Sequence, residues 1–338
     1  MGDRTGSPQH VLRQLVTGYW ISQSIFSVAK LGVADVLRNG PLSCQAIAAE
    51  LDAHPGSLYR LMRALASVGL FTRTEADTFG LTSLSECLLS DAPGSMRGLA
   101  LMHGEQFHWS SWGDLHETVK TGESAFQRLY QKPLFQYLAE NRDIGENFDA
   151  VMTELSRFDN RAVVGSCSFL DGGTVVDVGG GAGSLLVLLL QTFPNLQGVL
   201  VDQPHVVQAA ARAVRDAGLD KRCSIVAGDF FEAVPSGGDT YILKYVLHDW
   251  DEKTAVRILQ NMRRSMGTRG RLLVIEQLIP AGKEPSASTF LDLEMLLLLG
   301  GRVRTESEYR SLYEAAGFEM TRVTPTASSL WLLEGRPV

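Results

Sequence analysis

The stretch VVDVGGGAGSLL, residues 175–186, decides how this 338-residue chain is read. Three valines around Asp177 make a short buried strand, the glycines make a turn, and the leucines open a helix. A strand that runs through glycine into a helix leaves bare backbone N–H groups and a helix N-terminus facing one spot, where a ligand can sit. The dinucleotide pattern G-x-G-x-x-G fails here. Counted from Gly179 the sixth position is Ser184, and counted from Gly181 it is Leu186. A triphosphate loop is also excluded, because no G-K-[ST] ending follows. What remains is Asp177-x-Gly179-x-Gly181-x-Gly183.

Downstream of the loop, strand and helix patterns alternate. Strands are predicted near Thr174–Val178, Gly198–Val201, Cys223–Ala227, Thr240–Lys244 and Arg271–Glu276, with a final antiparallel pair in Glu319–Pro325 and Ser329–Leu333. This is the βαβ signature of a doubly wound, mostly parallel sheet. Acids end the second and third strands, Asp202 in VDQPHV and Asp229 in AGDFF. Asp202 is placed to accept hydrogen bonds from two ribose hydroxyls. Asp229 beside Phe230 suits an adenine, with its amino group on the acid and its ring on the aromatic. No basic residue lies in the loop to neutralise a diphosphate, so an adenosyl ligand carrying a cationic sulphonium fits best.

The fourth strand continues into YILKYVLHDWDE, residues 241–252. It should lie beside the glycine-loop strand, where strand order reverses and ligands bind beyond the carboxyl ends. His248 stands just past that end. Asp251 is accounted for as the cap of a helix with the apolar stripe Ala255, Ile258, Leu259 and Met262, but capping leaves the histidine unexplained. A base near neutral pKa, aimed at the ligand, explains it.

The front of the chain reads differently. Residues 11–38 have helical periodicity, Ser43 caps a helix to about Leu51, HPGS is a turn, and a helix follows from about Ser57 to Val68. LFTRT and TFGLT then make two short strands around the acidic turn EAD, which completes a winged-helix outline. Between Lys30 and Gly80 five basic residues are balanced by five acidic ones, and the whole chain carries −7. That balance lacks the phosphate-neutralising charge on which nucleic-acid binding depends. Residues 96–165 are helical and aromatic-rich, suiting inter-domain packing or a pocket for a flat organic substrate. Cys44, Cys87, Cys167 and Cys223 form no CxxC pair, and His103, His108 and His116 have no nearby acid set, so no metal is expected. Although residues 178–201 hold no charge, their glycines and Pro194 argue for strand, helix and strand rather than a membrane span. With no apolar signal core in the first ten residues, the expected location is cytoplasmic.

These segments together resemble the S-adenosylmethionine-dependent small-molecule O-methyltransferases of the plant caffeic-acid type and their bacterial secondary-metabolite relatives. The resemblance runs over nearly the whole chain, through SSWGDL, FDAVMTELS, DVGGGAGSLL, VDQPHV, GDFF, LKYVLHDWDE, VIEQLIP and GGRVRT. It implies an α/β fold, a Rossmann-like class I methyltransferase domain preceded by a winged-helix domain that serves homodimerisation. Expected boundaries are 1–95 for the dimerisation domain, 96–165 for a helical linker and pocket segment, and 166–338 for the catalytic domain. The implied cofactor is S-adenosylmethionine, leaving as S-adenosylhomocysteine, with Asp177, Gly179, Gly181, Asp202, Asp229, Phe230 and Lys244 as contacts. His248 would be the base, with Glu276 orienting it and Asp249 beside it. Trp112, Phe126, Met152, Met295, Leu299 and Val303 fall where the family lines its aromatic acceptor's pocket. Two of these depart from the plant pattern: Val303 replaces a second acid and Leu299 an amide. The acceptor side should therefore be drier, the base weaker, and the acceptor hydroxyl already acidified. N- or C-methylation, an atypical hydroxylation, and a ligand-sensing winged-helix regulator are the alternatives.

Overall fold

A computed structural model describes residues 6–74, 77–167, 171–282 and 286–338. Part of the expected acidic turn, at 75–76, lies outside the described residues. The chain divides into two compact units: Met1–Ser110 with Asn141–Val151, and Ser111–Glu140 with Met152–Val338.

In the first unit the stretch with helical periodicity is three helices. Helices Pro8–Val16, Tyr19–Leu31 and Val33–Val36 are separated at Thr17–Gly18 and at Gly32, whose φ of 77° no β-branched residue would adopt comfortably. Ser43 caps Cys44–Glu50 as expected, its hydroxyl accepting from the Ala46 N–H. HPGS is not a free turn. Pro55 and Gly56 open helix Pro55–Ser67, and the His54 ring caps it by accepting from the Ser57 N–H at 3.2 Å. Proline suits a first helical turn because its missing N–H would have no partner there. Strands β1 (Leu42–Ser43), β2 (Phe71–Arg73) and β3 (Thr78–Leu81) form the wing, in the order β1-β3-β2. Val28, Val33, Leu37, Ile47, Leu58, Met62, Phe71 and Phe79 fill the core beneath it. Outside that core, Leu12, Leu15, Val16, Tyr19, Trp20 and Ile21 stand exposed. His103 and His108 lie on two successive helices. The chain breaks at Glu105, and their rings meet edge-on at 4.3 Å.

The second unit holds a seven-stranded sheet of β4 (Gly173–Val178), β5 (Leu196–Asp202), β6 (Cys223–Ala227), β7 (Thr240–Lys244), β8 (Arg271–Gln277), β9 (Phe318–Pro325) and β10 (Leu330–Pro337). Its order is β6-β5-β4-β7-β8-β10-β9, parallel from β6 to β8, with β10 antiparallel to both of its neighbours. The expected strands are present to within one or two residues at most ends, and β10 runs four residues further. Side chains alternate between two cores. Val176, Val178, Tyr241 and Leu243 pack with helices Glu252–Ser265 and Glu306–Ala315. Val175, Leu200, Ile242 and Leu273 pack with Ser184–Thr192 and Val207–Asp216. Burial on both faces is why these strands read as near-continuous apolar runs. Each such side chain contributes roughly 1.5–3 kcal/mol of transfer free energy. The uncharged stretch after Asp177 is β4, a nine-residue helix and β5, and among the described residues no helix is long and apolar enough to cross a membrane. From β4 the chain winds to β5 and β6, then returns to β7 on the other side. The crevice beyond the carboxyl ends of β4 and β7 is the switch point of the sheet.

Candidate active site

The glycine loop meets that crevice first. Gly179 leaves β4 at φ 72°, and a Cβ there would stand 2.9 Å from a Val246 methyl, so only glycine fits. Gly183, at φ 80°, opens helix Ser184–Thr192 with no side-chain cap, which leaves its first N–H groups for another partner. Asp177 lies under the loop, 2% exposed, with Oδ2 unpartnered among the described residues. Burial pushes its carboxyl up to about 7, against the pull of Lys244. It is buried beneath Gly180 and shapes the loop from below.

Asp202, at the end of β5, is oriented by backbone. The Gly181 N–H donates to its Oδ2 at 2.8 Å and the Gln203 N–H to its Oδ1 at 2.7 Å. Burial raises its carboxyl against those two bonds. Asp229 follows β6 and accepts from the Phe231 N–H at 2.8 Å, leaving the side chain exposed. The Phe230 ring comes within 3.7 Å of where a Gly179 Cβ would be, which brings the third strand's aromatic to the first strand's loop. Lys244 donates to Ser156 Oγ at 3.1 Å, and burial lowers its pKa against Asp159, Asp177 and Glu276.

Past Lys244 the backbone turns sharply. Tyr245 adopts φ 55°, a left-handed conformation rare for an aromatic residue, and its N–H donates to the Ile275 carbonyl at 3.1 Å. A single 3₁₀ turn, Leu247–Asp249, then presents a buried His248. Its Nδ1 is 3.1 Å from Glu276 Oε2, and its backbone N–H donates to Glu276 Oε1 at 3.3 Å. Its Nε2 is 3.3 Å from Asp249 Oδ1. The Tyr245 ring stacks on the imidazole with centroids 5.3 Å apart, while its hydroxyl donates to Asp159 Oδ2 at 2.9 Å. Burial alone would push the imidazole down. The Glu276 and Asp249 carboxylates outweigh it and raise the group to about 10.

Asp249, next in sequence, reaches Nε2 because the tight turn folds its side chain back against the ring. Tyr245 was missed altogether. It reads locally as one more strand aromatic, and only its positive φ and its distant partner Asp159 set it apart.

The acceptor-side residues divide. Trp112 donates its indole N–H to Glu294 Oε2 at 2.5 Å, next to Met295 on helix Ser288–Leu298. Met152 and Leu299 are half-buried. Phe126, Met295 and Val303 are buried. Phe126 stacks on Tyr130 at 4.7 Å and meets the Tyr137 ring edge-on. Helix Ser288–Leu298 carries the Glu294 carboxylate on Trp112 and Asp292, whose Oδ1 accepts from the Val303 N–H at 2.9 Å.

Comparison with known proteins adds identity to this geometry. Residues 112–319 match the family model of the O-methyltransferase domain, and residues 13–91 that of the O-methyltransferase dimerisation domain. The chain is 43% identical to phenazine O-methyltransferase PhzM of Lysobacter antibioticus, over 97% of this chain and 96% of that one. It is 35% identical to the 8-amino-8-demethylriboflavin N,N-dimethyltransferase of Streptomyces davaonensis, over 91% and 89%. Among solved structures it matches NcsB1, an O-methyltransferase from neocarzinostatin biosynthesis in complex with S-adenosylmethionine and 2-hydroxy-5-methyl naphthoic acid. That match has a TM-score of 0.84 and 33% identity, covering 94% of this chain and 96% of that one.

Proposed function

The chain belongs to the O-methyltransferase family and is an S-adenosylmethionine-dependent methyltransferase, and from that premise we propose that it methylates a hydroxyl of a fused-ring aromatic small molecule with His248 as proton acceptor. The observation that carries this reading is the imidazole held between Glu276 and Asp249 at the switch point of the sheet.

The residues fit the donor. Gly179, Gly181 and Gly183 form a cradle that a Cβ would fill or strain, Asp202 is fixed by two backbone donors, and Phe230 lies against the loop. Asp202 would take the ribose hydroxyls, Asp229 and Phe230 the adenine, and Lys244 would lie at the same rim. When bound, S-adenosylmethionine supplies a sulphonium methyl group, which an in-line nucleophile displaces to leave S-adenosylhomocysteine.

The protein's part is to position the acceptor and remove its proton. An unperturbed histidine near 6.5 taking a proton from a phenol near 10 works uphill by roughly 5 kcal/mol. With its conjugate acid raised to about 10, the neutral imidazole of His248 matches the phenol and that step becomes level. The cost moves to the small neutral fraction present at pH 7. Glu276 orients the ring, Asp249 shares the charge as the proton arrives, and Trp112 with Glu294 offers a polar edge to the acceptor. The base favours oxygen over nitrogen, since a ring nitrogen already presents its lone pair and needs none. The riboflavin-type N,N-dimethyltransferase among the relatives makes N-methylation the second reading. Residues 1–95 are read as the homodimerisation domain, 96–165 as the pocket segment and 166–338 as the catalytic domain, acting in the cytoplasm.

The test uses methyl-labelled donor with hydroxyphenazines and hydroxynaphthoates, the label being located by NMR. Label on oxygen, with loss of turnover in His248→Ala, supports the proposal. Label on nitrogen, or an undiminished His248→Ala, overturns it.

A further inference from the structure

Arg304 is the largest side chain buried almost completely, at 1% exposure. Removing a guanidinium from water costs several kcal/mol unless its N–H groups are matched. Among the described residues it takes part in no salt bridge, and its partners are carbonyls. Nη1 donates to Leu247 O at 2.8 Å and to Arg302 O at 3.1 Å, and Nη2 donates to Trp250 O at 2.8 Å. Leu247 and Trp250 flank His248 and Asp249, so the planar fork spans that turn from end to end.

The backbone of the same segment is tied to the other half of the site. The Ile279 N–H donates to the Arg304 carbonyl at 3.0 Å, three residues beyond Glu276 along the chain that leaves β8. The Arg302 N–H donates to the His248 carbonyl at 2.7 Å. At Gly301 a Cβ would come within 2.1 Å of that carbonyl oxygen, so the approach requires glycine. One residue thus joins, through its carbonyl and its guanidinium, the chain leaving the strand of Glu276 to the turn that carries His248 and Asp249.

We propose that Arg304 is a positioning residue, whose two-pronged grip on the Leu247 and Trp250 carbonyls sets the separation of the His248 imidazole from Asp249 and Glu276. The grip requires a rigid fork, which a lysine ammonium does not offer. Tyr245 is stacked on the ring, Lys244 and Tyr309 interact electrostatically with Glu276, and the Tyr309 ring lies 6.0 Å from the Arg304 guanidinium. Arg304→Lys keeps the charge and loses the span, so it separates position from electrostatics. A slackened turn lets Asp249 drift from the ring, and the imidazole loses one of the two charges that favour its cation.

The inference rests on the proton-acceptor reading only for its kinetic part. The experiment follows the seven histidines by ¹⁵N NMR in the full-length protein, with His248 assigned from His248→Ala. Arg304→Lys should move the His248 titration down by about one pH unit and lower kcat about ten- to a hundredfold, with the KM for donor unchanged. An unmoved His248 titration in a variant that still binds the donor overturns the inference, whatever His248 does in turnover. If Arg304→Lys does not bind the donor, Arg304→Ala with added guanidinium ion decides. Donor binding recovered by guanidinium and not by sodium supports the grip, and no recovery overturns it.

Discussion

His248 Nδ1 lies 3.1 Å from Glu276 Oε2, while the carboxylate beside Nε2 belongs to Asp249, the next residue in the chain. The two acids are held differently. Glu276 is fully buried on β8 and also accepts from the His248 backbone, whereas Asp249 is on the turn itself. Glu276→Gln should therefore misorient the ring as well as remove charge, and Asp249→Asn should remove charge alone. We predict that Glu276→Gln costs the larger share of kcat, within the roughly hundred- to ten-thousandfold associated with acid–base groups. Equal or reversed losses would contradict the assignment of Glu276 as the orienting acid.

Donor binding is a separate matter from proton removal. Asp202→Ala removes the acceptor fixed by the Gly181 and Gln203 N–H groups. It should weaken S-adenosylmethionine and S-adenosylhomocysteine alike, by about ten- to a hundredfold, the worth of a charge-assisted hydrogen-bond pair. Calorimetry reads this directly. Unchanged affinity for both ligands would remove Asp202 from the donor site.

The same imidazole shapes stability against pH. Its conjugate acid is raised to about 10 in the folded chain and lies near 6.5 when unfolded, so the folded state holds the proton more tightly. This stabilisation is fully present below pH 6.5 and is lost as pH rises through about 10. Urea denaturation of wild type and His248→Gln at pH 6, 8 and 10 should show the gap between them narrowing as pH rises. A gap that stays constant or widens would contradict the raised pKa.

An exposed apolar row precedes the wing: Leu12, Leu15, Val16, Tyr19, Trp20 and Ile21. An exposed apolar patch of this kind marks an interaction surface, and residues 13–91 match a dimerisation domain. Light scattering at micromolar concentration should return a dimer mass for wild type. Trp20→Asp should shift it to monomer, and a monomeric wild type would refute the interface.

Much of this was legible in the sequence wherever the signal is local. Short runs between turn signals located β6 and β7 to the residue, Ser43 and Asp251 were readable as caps, and the glycine spacing fixed the loop. What escaped depends on residues far apart in the chain. Tyr245 looks like strand until its φ of 55° and its bond to Asp159 are known, and Arg304 looks like surface charge until its guanidinium is found on carbonyls 57 and 54 residues away. His54 escaped because a ring nitrogen capping a proline-led helix is an unusual use of both residues. The acceptor pocket was least legible. Trp112 and Glu294, which share a hydrogen bond, lie 182 residues apart in the chain.

The most direct test of His248 as proton acceptor is the pH dependence of kcat/KM, measured with two hydroxylated acceptors that differ in acidity. For acceptors less acidic than the imidazolium, kcat/KM should rise with pH from neutrality and level at the same pH for both, because the limb belongs to the imidazole between Glu276 and Asp249. His248→Ala should abolish that limb. A limb that moves with the acceptor's own acidity, or one that survives in His248→Ala, would contradict it.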